Sequence, residues 1–120
     1  MARWEVNLQW IADWTLELEP GDFELFTAAL ERVSWKGPAL GRPLVDTVKR
    51  SRHRKMKELR PASSGRSEIR ALFAFDSRRT AVFLVAGDKR GAWESWYRRN
   101  IPIADRRLDE HEANISNIDG

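Results

Sequence analysis

Cationic side chains are the residues of this sequence whose types and spacing could support chemistry. In KRSRHRKMK, residues 49–57, six of the nine residues are Lys or Arg, and His53 is a further group that can carry a proton. Like charges at this density repel one another, so the segment is either a solvated loop or a surface that normally contacts an anion. Composition alone leaves these two interpretations open.

The charge of the chain is polarised along the sequence. Residues 49–99 carry fifteen basic and five acidic side chains, whereas residues 1–48 carry four and eight, and residues 100–120 carry two and five. A fold that gathers the central segment on one face would have the electrostatic footprint of a polyanion-binding protein. An anionic membrane would call for a basic amphipathic helix, but this segment is predicted to be mostly strands, so nucleic acid is favoured.

Cofactor-dependent chemistry is not indicated. The chain has no cysteine, and its two histidines, His53 and His111, lie far apart in sequence. No HExxH, P-loop or GxGxxG pattern occurs, so we predict no metal site and no cofactor. RNA can be cleaved without a metal if one group deprotonates a 2′-hydroxyl, another protonates the leaving oxygen and cations stabilise the phosphorane. His53, or a Lys whose pKa is depressed by neighbouring cations, is the candidate for proton transfer.

The elements that would position these residues follow from periodicity. A short strand that runs into a helix is predicted near the start, Asp22 is expected to cap the second helix, and Gly37 is expected to end it. The predicted central strands are MKELR, EIRALFAF and TAVFLVAG, residues 56–60, 68–75 and 80–87. A helix is predicted over AWESWYRRN, a second helical stretch from Pro102, and a flexible tail over residues 113–120.

The predicted fold class is α+β, with one domain over residues 1–120. A twisted antiparallel sheet of three to four strands is expected to carry two N-terminal helices and a C-terminal helix. Trp93 and Trp96 are expected in the core, where they would dock the last helix, and Tyr97 at its rim. Arg70 lies in mid-strand, where a cation needs a partner, and Glu58 on the neighbouring strand could be that partner. No apolar window reaches the length of a membrane span and no signal peptide is indicated, so a soluble cytoplasmic protein is expected.

Four segments in fixed order resemble a known branch of toxins. MKELRP, EIRALFAFD, AVFLVAGDK and WYRRNIPIADR, within residues 37–112, are similar to the phage-derived HigB-like branch of the RelE/ParE toxin superfamily. The resemblance implies the toxin of a type II toxin–antitoxin pair that cleaves mRNA without a metal, usually on the translating ribosome. It implies an antitoxin partner, commonly a small helix-turn-helix protein, with operator DNA bound only through the complex of the two.

The resemblance also implies a set of site residues. Lys57 is the candidate for proton transfer, with His53 as an alternative acid or base. Arg70 and Lys89 are expected to contact the phosphate, and Tyr97 is expected to lie against a base. Strand parity places Lys57 on the same side as Leu59. The residues predicted to bind RNA are Arg50, Arg52, Arg54, Lys55, Arg60, Arg90 and Arg98.

Two other functions fit the same sequence. One is a ParE-like inhibitor of DNA gyrase that shares the fold without nuclease activity, because fold does not determine function. The other is a noncatalytic nucleic-acid-binding module, which would bind in a salt-sensitive manner without cleavage. The convergence of Lys55, Lys57, Arg70 and Lys89 favours the nuclease, since a gyrase inhibitor does not need a convergent cationic site.

Overall fold

A five-stranded mixed sheet forms the centre of the molecule. The computed structural model describes residues 3–119. Its elements are β1 (Glu5–Asn7), α1 (Ala12–Leu16), α2 (Pro20–Lys36), a 3₁₀ turn (Gly37–Ala39), β2 (Val45–Thr47), β3 (Lys57–Leu59), β4 (Ile69–Phe75), β5 (Thr80–Asp88) and α3 (Trp93–Asp119). The strand order is β1-β5-β4-β3-β2, in which β1 runs parallel to β5 and all other neighbours are antiparallel. The predicted α+β class is confirmed.

The expected antiparallel sheet of three to four strands is wrong in strand number and in the direction of β1, whereas the other pairings are antiparallel as expected. The additional strand, β2, has three residues, too few to show a two-residue period, and it exists because it pairs with β3 from Val45 opposite Leu59 to Thr47 opposite Lys57. The parallel direction of β1 is set by its pairing of Glu5 with Thr80. A contact between residues so distant in sequence leaves no trace in local periodicity.

Alternation along the strands divides the core into two layers. On one face, Leu59, Phe73 and Phe83 are fully buried against Phe26 and Val33 of α2. On the other face, the buried side chains of the sheet pack against α3. This second layer includes Met56, Leu72, Ala74, Val82, Leu84, Trp96, Ile101, Ala104 and Leu108.

The ends of α2 test two of the sequence predictions. Gly37 does end α2, with a positive φ of 57°, and a Cβ at this position would collide with the Trp4 side chain. Asp22 does not cap α2, because the helix begins at Pro20, whose ring favours the first helical turn. Instead, Oδ1 of Asp22 accepts hydrogen bonds from the hydroxyls of Ser64 and Ser67, both at 2.9 Å.

One continuous helix, α3, replaces the two helical stretches predicted near the C-terminus. Pro102 lies inside it, where the missing N–H would ordinarily break a helix. The buried side chains Trp96, Ile101, Ala104 and Leu108 continue across this position, so packing on the sheet outweighs the local cost. The segment 113–119 is also helical, Gly120 lies outside the described residues, and the flexibility of this tail stays a prediction. No helix within residues 3–119 has the length and apolar character to cross a membrane.

Candidate functional site

The candidate site lies on the α3 face of the sheet, where β3, β4 and β5 meet the start of α3. Glu58 is paired with Leu72, and Arg70 lies opposite Gly87, so Glu58 and Arg70 point to the same face. Lys89 follows the end of β5, and Tyr97 lies in the first turns of α3. We call Glu58, Arg60, Arg70, Lys89 and Tyr97 the sheet-end cluster.

Lys89 is the buried cation of the sheet-end cluster. The residue is 1% exposed, and its Nζ donates a hydrogen bond to the Tyr97 hydroxyl at 3.2 Å. Nζ also lies 3.4 Å from the centroid of the Trp93 ring. Burial, followed by the nearby Arg70 charge, lowers the pKa of Lys89 below its ordinary value. The Lys89 ammonium therefore gives up a proton more readily than an exposed one.

Tyr97 is held in its protonated form. Burial, and after it the neighbouring Glu58 carboxylate, raises the pKa of the half-buried phenol well above its ordinary value. Its oxygen accepts a hydrogen bond from Lys89, and the Glu58 carboxylate is the acceptor beside its proton.

Two buried polar atoms of the sheet-end cluster lack a hydrogen-bond partner. Within residues 3–119, the buried side-chain nitrogen and oxygen atoms without a partner are Oε2 of Glu58 and Nε of Arg70. Arg70 donates through Nη1 to the carbonyl of Ile69 at 2.7 Å, and no ion pair among the described residues joins it to Glu58, its expected partner. An unsatisfied buried group costs about 1–3 kcal/mol. One unsatisfied acceptor and one unsatisfied donor on the same face of the sheet can therefore be satisfied by water or by a ligand that supplies both partners.

Arg60 partly neutralises the carboxylates next to this place. Its Nε lies 3.8 Å from Oε1 of Glu58 and its Nη1 3.6 Å from Oδ2 of Asp46. Both contacts are long for ion pairs, and about a third of the Arg60 side chain is exposed (32%). Arg60 can therefore turn towards an anion with little loss of existing contacts.

A groove runs from the sheet-end cluster between β2 and α3. Its first hollow, of about 270 Å³, is lined by Asp46, Thr47, Val48, Lys49, Arg50, Glu58, Tyr97 and Ile101. An adjoining hollow of about 200 Å³ is lined by Arg50, Tyr97, Arg98, Ile101 and Pro102. A larger hollow, of about 440 Å³, lies against β1 and α2 and contains none of the predicted site residues. The groove has an apolar floor, and its walls carry the cations Lys49, Arg50 and Arg98 together with the carboxylates Asp46 and Glu58.

The basic run of residues 49–57 does have an anionic neighbour, namely α3. Arg50 pairs with Glu94 at 3.2 Å, and Lys55 pairs with Glu112. Arg52 and His53 both contact Asp109, with the His53 Nε2 at 2.8 Å from Oδ1. The hydrogen bond from Arg52, and next to it that from His53, lowers the pKa of Asp109.

Further along the same contact, Ser51 donates to Asp105 at 2.5 Å. Lys49 and Arg54 are exposed and make no ion pair with a described residue. The run is therefore an ordered loop that is held along α3 and keeps part of its charge unpaired.

The structure gathers some of the predicted site residues and separates others. Arg60, Arg70, Lys89 and Tyr97 share the sheet-end cluster. Lys57 does not, because it is paired with Phe73 and Thr47 and points to the α2 face. His53 contacts Asp109, about 18 Å along the helix axis from Tyr97. The other predicted RNA-binding residues are spread more widely. Arg98 lines the groove, Arg90 is exposed in the turn after β5, and the loop carries Arg50, Arg52, Arg54 and Lys55.

Sequence reasoning missed two residues of the site. Glu58 was expected only as a partner for Arg70. Alternation along the strand puts Glu58 on the same face as Arg60 and on the opposite face from Lys57, and this signal could have identified it. Trp93 was expected in the core, which is wrong: it is 54% exposed, whereas Trp96 is 4% exposed as expected. Only the three-dimensional position of Lys89 identifies Trp93 as part of the site.

The chain resembles known proteins over most of its length. The family model described as "Phage derived protein Gp49-like (DUF891)" matches residues 13–109. The chain is 51% identical over 110 residues to "Putative toxin HigB2" of Mycobacterium tuberculosis (strain ATCC 25618 / H37Rv), which covers 92% of this chain and 55% of that protein. It is 46% identical over 104 residues to "Putative toxin HigB3" of the same organism, which covers 87% of this chain and 89% of that protein. The chain thus spans about half the length of the first relative and most of the second. No solved structure matches the chain.

Proposed function

Because this chain belongs to the phage derived Gp49-like family, we propose that it is the toxin of a type II toxin–antitoxin pair and that it cleaves mRNA without a metal. The names of its two mycobacterial relatives support the toxin assignment. A cognate antitoxin, of the helix-turn-helix type, is then its protein partner. The translating ribosome would present the mRNA, which places the protein in the cytoplasm.

The observation that carries the proposed reaction is the pair of unsatisfied atoms in the sheet-end cluster. Oε2 of Glu58 lacks a donor and Nε of Arg70 lacks an acceptor. RNA offers both at one place, since a 2′-hydroxyl is a donor and the adjacent phosphate is an acceptor. Glu58 also lines the first hollow of the groove, so an RNA strand in that groove would reach its carboxylate.

The Glu58 carboxylate is the proposed general base for the attack on the phosphate. Oε2 of Glu58 takes the proton from the 2′-hydroxyl, whose oxygen forms a bond to the adjacent phosphorus. Arg70, and Arg60 once it turns from Asp46, stabilise the added negative charge on the phosphorane oxygens. We assign the base to Glu58 rather than Lys57, because Lys57 points to the opposite face of the sheet.

The Tyr97 phenol is the proposed general acid for the leaving group. The bond between phosphorus and the 5′-oxygen breaks as Tyr97 gives its proton to that oxygen. Lys89 then passes a proton from Nζ to the Tyr97 oxygen, along the existing 3.2 Å hydrogen bond. The products are a 2′,3′-cyclic phosphate and a free 5′-hydroxyl. Lys89 does not touch the RNA in this scheme. It positions Tyr97 and returns a proton to its oxygen.

The decisive experiment maps cleavage sites by primer extension on a defined mRNA, with purified protein, in the presence and absence of translating ribosomes. We expect cuts from the wild-type protein that disappear with Glu58→Gln and Arg70→Ala. Lys57→Ala is the matched control, since it changes the neighbouring residue of the same strand on the other face, and it should keep most of the activity.

The possible outcomes separate the competing functions. Cuts only in the translated sample, in register with codons, would establish ribosome dependence. Full activity of Glu58→Gln together with loss in Lys57→Ala would move the base back to the lysine. Absence of cuts in both samples would overturn the nuclease, and inhibition of gyrase supercoiling would then be the assay for the ParE-like alternative.

A further inference from the structure

Trp93 is an exposed aromatic side chain at the edge of the sheet-end cluster. It is the first residue of α3, and 54% of it is exposed. Its ring covers the Lys89 ammonium at 3.4 Å. It does not belong to the buried layer under α3, to which its neighbour Trp96 contributes. The core therefore does not explain why a large apolar ring lies here.

Exposure alone would not single out Trp93. Trp35 on α2 is also 54% exposed, and it also carries a cation over its ring, with Arg3 at 4.3 Å. The difference between the two is location. Trp93 contacts Lys89, which is hydrogen-bonded to Tyr97, whereas Trp35 lies on the helix that covers the opposite face of the sheet.

Other side chains occupy part of the Tyr97 ring. Its hydroxyl accepts from Lys89, its ring meets the Trp96 ring edge-on at 5.2 Å, and the Arg50 guanidinium lies over it at 5.7 Å. Tyr97 still lines both hollows of the groove, so its expected stacking on a base stays a prediction. The exposed Trp93 indole beside it offers a second and more open aromatic surface.

We propose that Trp93 is a stacking platform for one unpaired nucleobase of single-stranded RNA, in a nucleotide that flanks the cleaved phosphate. The inference rests on the proposed function, and it adds a binding subsite to it. Every base has a flat π-face, so a platform of this kind is tolerant of sequence. Its contribution is to hold the strand so that the phosphate meets the sheet-end cluster.

Binding measurements with modified RNA test this subsite. The probe is a fluorescein-labelled single-stranded RNA that cannot be cut, because it carries a 2′-deoxy sugar at the mapped cleavage position or, if no cut is found, 2′-fluoro sugars at every position. A set of companion RNAs each has an abasic residue at one position of the strand. Wild-type protein, Trp93→Ala, Trp93→Phe and Trp35→Ala are compared by fluorescence anisotropy, and circular dichroism melts confirm that each variant is folded.

We expect Trp93→Ala to bind the complete RNA about tenfold more weakly than wild type. With the abasic residue at one particular flanking position, the two proteins should bind equally. Trp93→Phe should keep most of the affinity, and Trp35→Ala should bind like wild type.

Two results would overturn the subsite: a loss in Trp93→Ala that is the same for every abasic RNA, or no loss with the complete RNA. Such a result would leave cleavage by the wild-type protein intact, so it would not refute the nuclease. Conversely, the loss of affinity in Trp93→Ala could depend on the base at one position while unmodified RNA is never cleaved. That result would support the subsite and refute the proposed reaction.

Discussion

Tyr97 is the residue whose proposed role is most directly testable. If its proton goes to the leaving 5′-oxygen, Tyr97→Phe should slow cleavage by about 10²- to 10⁴-fold. A substrate with sulfur in place of that oxygen needs no proton to leave, so it should be cut by Tyr97→Phe at nearly the wild-type rate. Single-turnover rates with the two RNAs measure this rescue.

Glu58→Gln is the control for that rescue. Its defect lies in the attack on phosphorus, so the sulfur substrate should not restore its activity. Equal rescue of both variants would show that neither residue acts in the step assigned to it.

Lys89 links the proposed activity to the stability of the fold at a single side chain. Its folded-state pKa is lowered by burial and by Arg70, so a charged Lys89 destabilises the fold. This cost is complete below the folded-state pKa and disappears as the pH rises through that value towards the ordinary 10.5. We expect Lys89→Met to unfold at a higher denaturant concentration than wild type at pH 7, with a smaller difference at pH 10.

The same variant should be a poor enzyme. Without the ammonium to polarise and recharge Tyr97, cleavage should fall by about 10²- to 10³-fold. A Lys89→Met protein that is less stable than wild type at pH 7 would show that the buried cation contributes net stability and is not retained for function.

Residue types and order in the sequence were enough to predict Arg70, Lys89 and Tyr97 as members of one candidate site, because each lies at or next to a strongly patterned element. They did not identify Glu58 as a site residue, since a carboxylate within a basic segment is first interpreted as a charge partner. They placed Trp93 in the core, because helical spacing alone does not tell which side of the first turn faces the sheet. Both errors concern side-chain direction, which tertiary packing decides.

At the scale of elements, Asp76 joins α3 to the β4–β5 turn. Its Oδ1 accepts hydrogen bonds from the backbone N–H of Arg78 at 2.8 Å and of Thr80 at 3.0 Å. Its Oδ2 lies 2.8 Å from Nε2 of His111 on α3. Burial alone would raise the pKa of Asp76, but the hydrogen bond from His111 and those of the backbone hold it below its ordinary 3.8. One carboxylate thus fixes the turn and the helix together.

We expect Asp76→Ala to lower the free energy of unfolding by about 2–3 kcal/mol, because buried hydrogen-bonding groups lose their partner. Stability from this carboxylate is complete above pH 3.8 and is lost as the pH falls through its lower folded-state pKa. Urea unfolding of both proteins at pH 7 and at acid pH measures the difference. Asp88→Ala is the control, since Asp88 accepts comparable backbone bonds from Glu68 and Arg90 but is exposed; a loss as large as that of Asp76→Ala would show that burial is not the cause.

The elements themselves were predictable to the extent that their patterns are local. The alternation of β4, the apolar run of β5 and the Gly37 stop of α2 are each visible in a few residues. β2 and the unbroken α3 were not, because β2 is stabilised by its partner strand, and Pro102 is tolerated by the packing on either side of it. The parallel pairing of β1 belongs to the same class of long-range effect.

Across the whole molecule, the cations of the basic loop fall into two groups: those that pair with acidic side chains of α3 and those that do not. The acidic side chains of α3 hold Arg50, Arg52, His53 and Lys55 in place, and Arg50 of this set lines the groove. The loop cations without such partners, Lys49 and Arg54, are exposed to solvent. The sequence showed the polarity of charge along the chain, but it did not show that the C-terminal acidic segment folds back onto the basic run.

This division predicts different salt dependences for two arginines of the same loop. Arg54 makes no ion pair with a described residue, so a phosphate that binds it releases counterions without breaking a contact. Arg52 must first leave Asp109. We therefore expect Arg54→Ala to reduce the slope of log affinity against log salt by about 0.7, the value for one phosphate contact of a single strand, and Arg52→Ala to reduce it by clearly less.

Anisotropy titrations of the uncleavable RNA between about 50 and 200 mM salt would measure both slopes. Asp109→Asn completes the comparison, because it frees Arg52 and should make the slope steeper than that of wild type. If the two arginine variants have equal slopes and Asp109→Asn has no effect, all cations of the loop contribute alike to RNA binding, whether or not they pair with α3. Unequal slopes would mean that α3 selects which cations of the loop take part in binding.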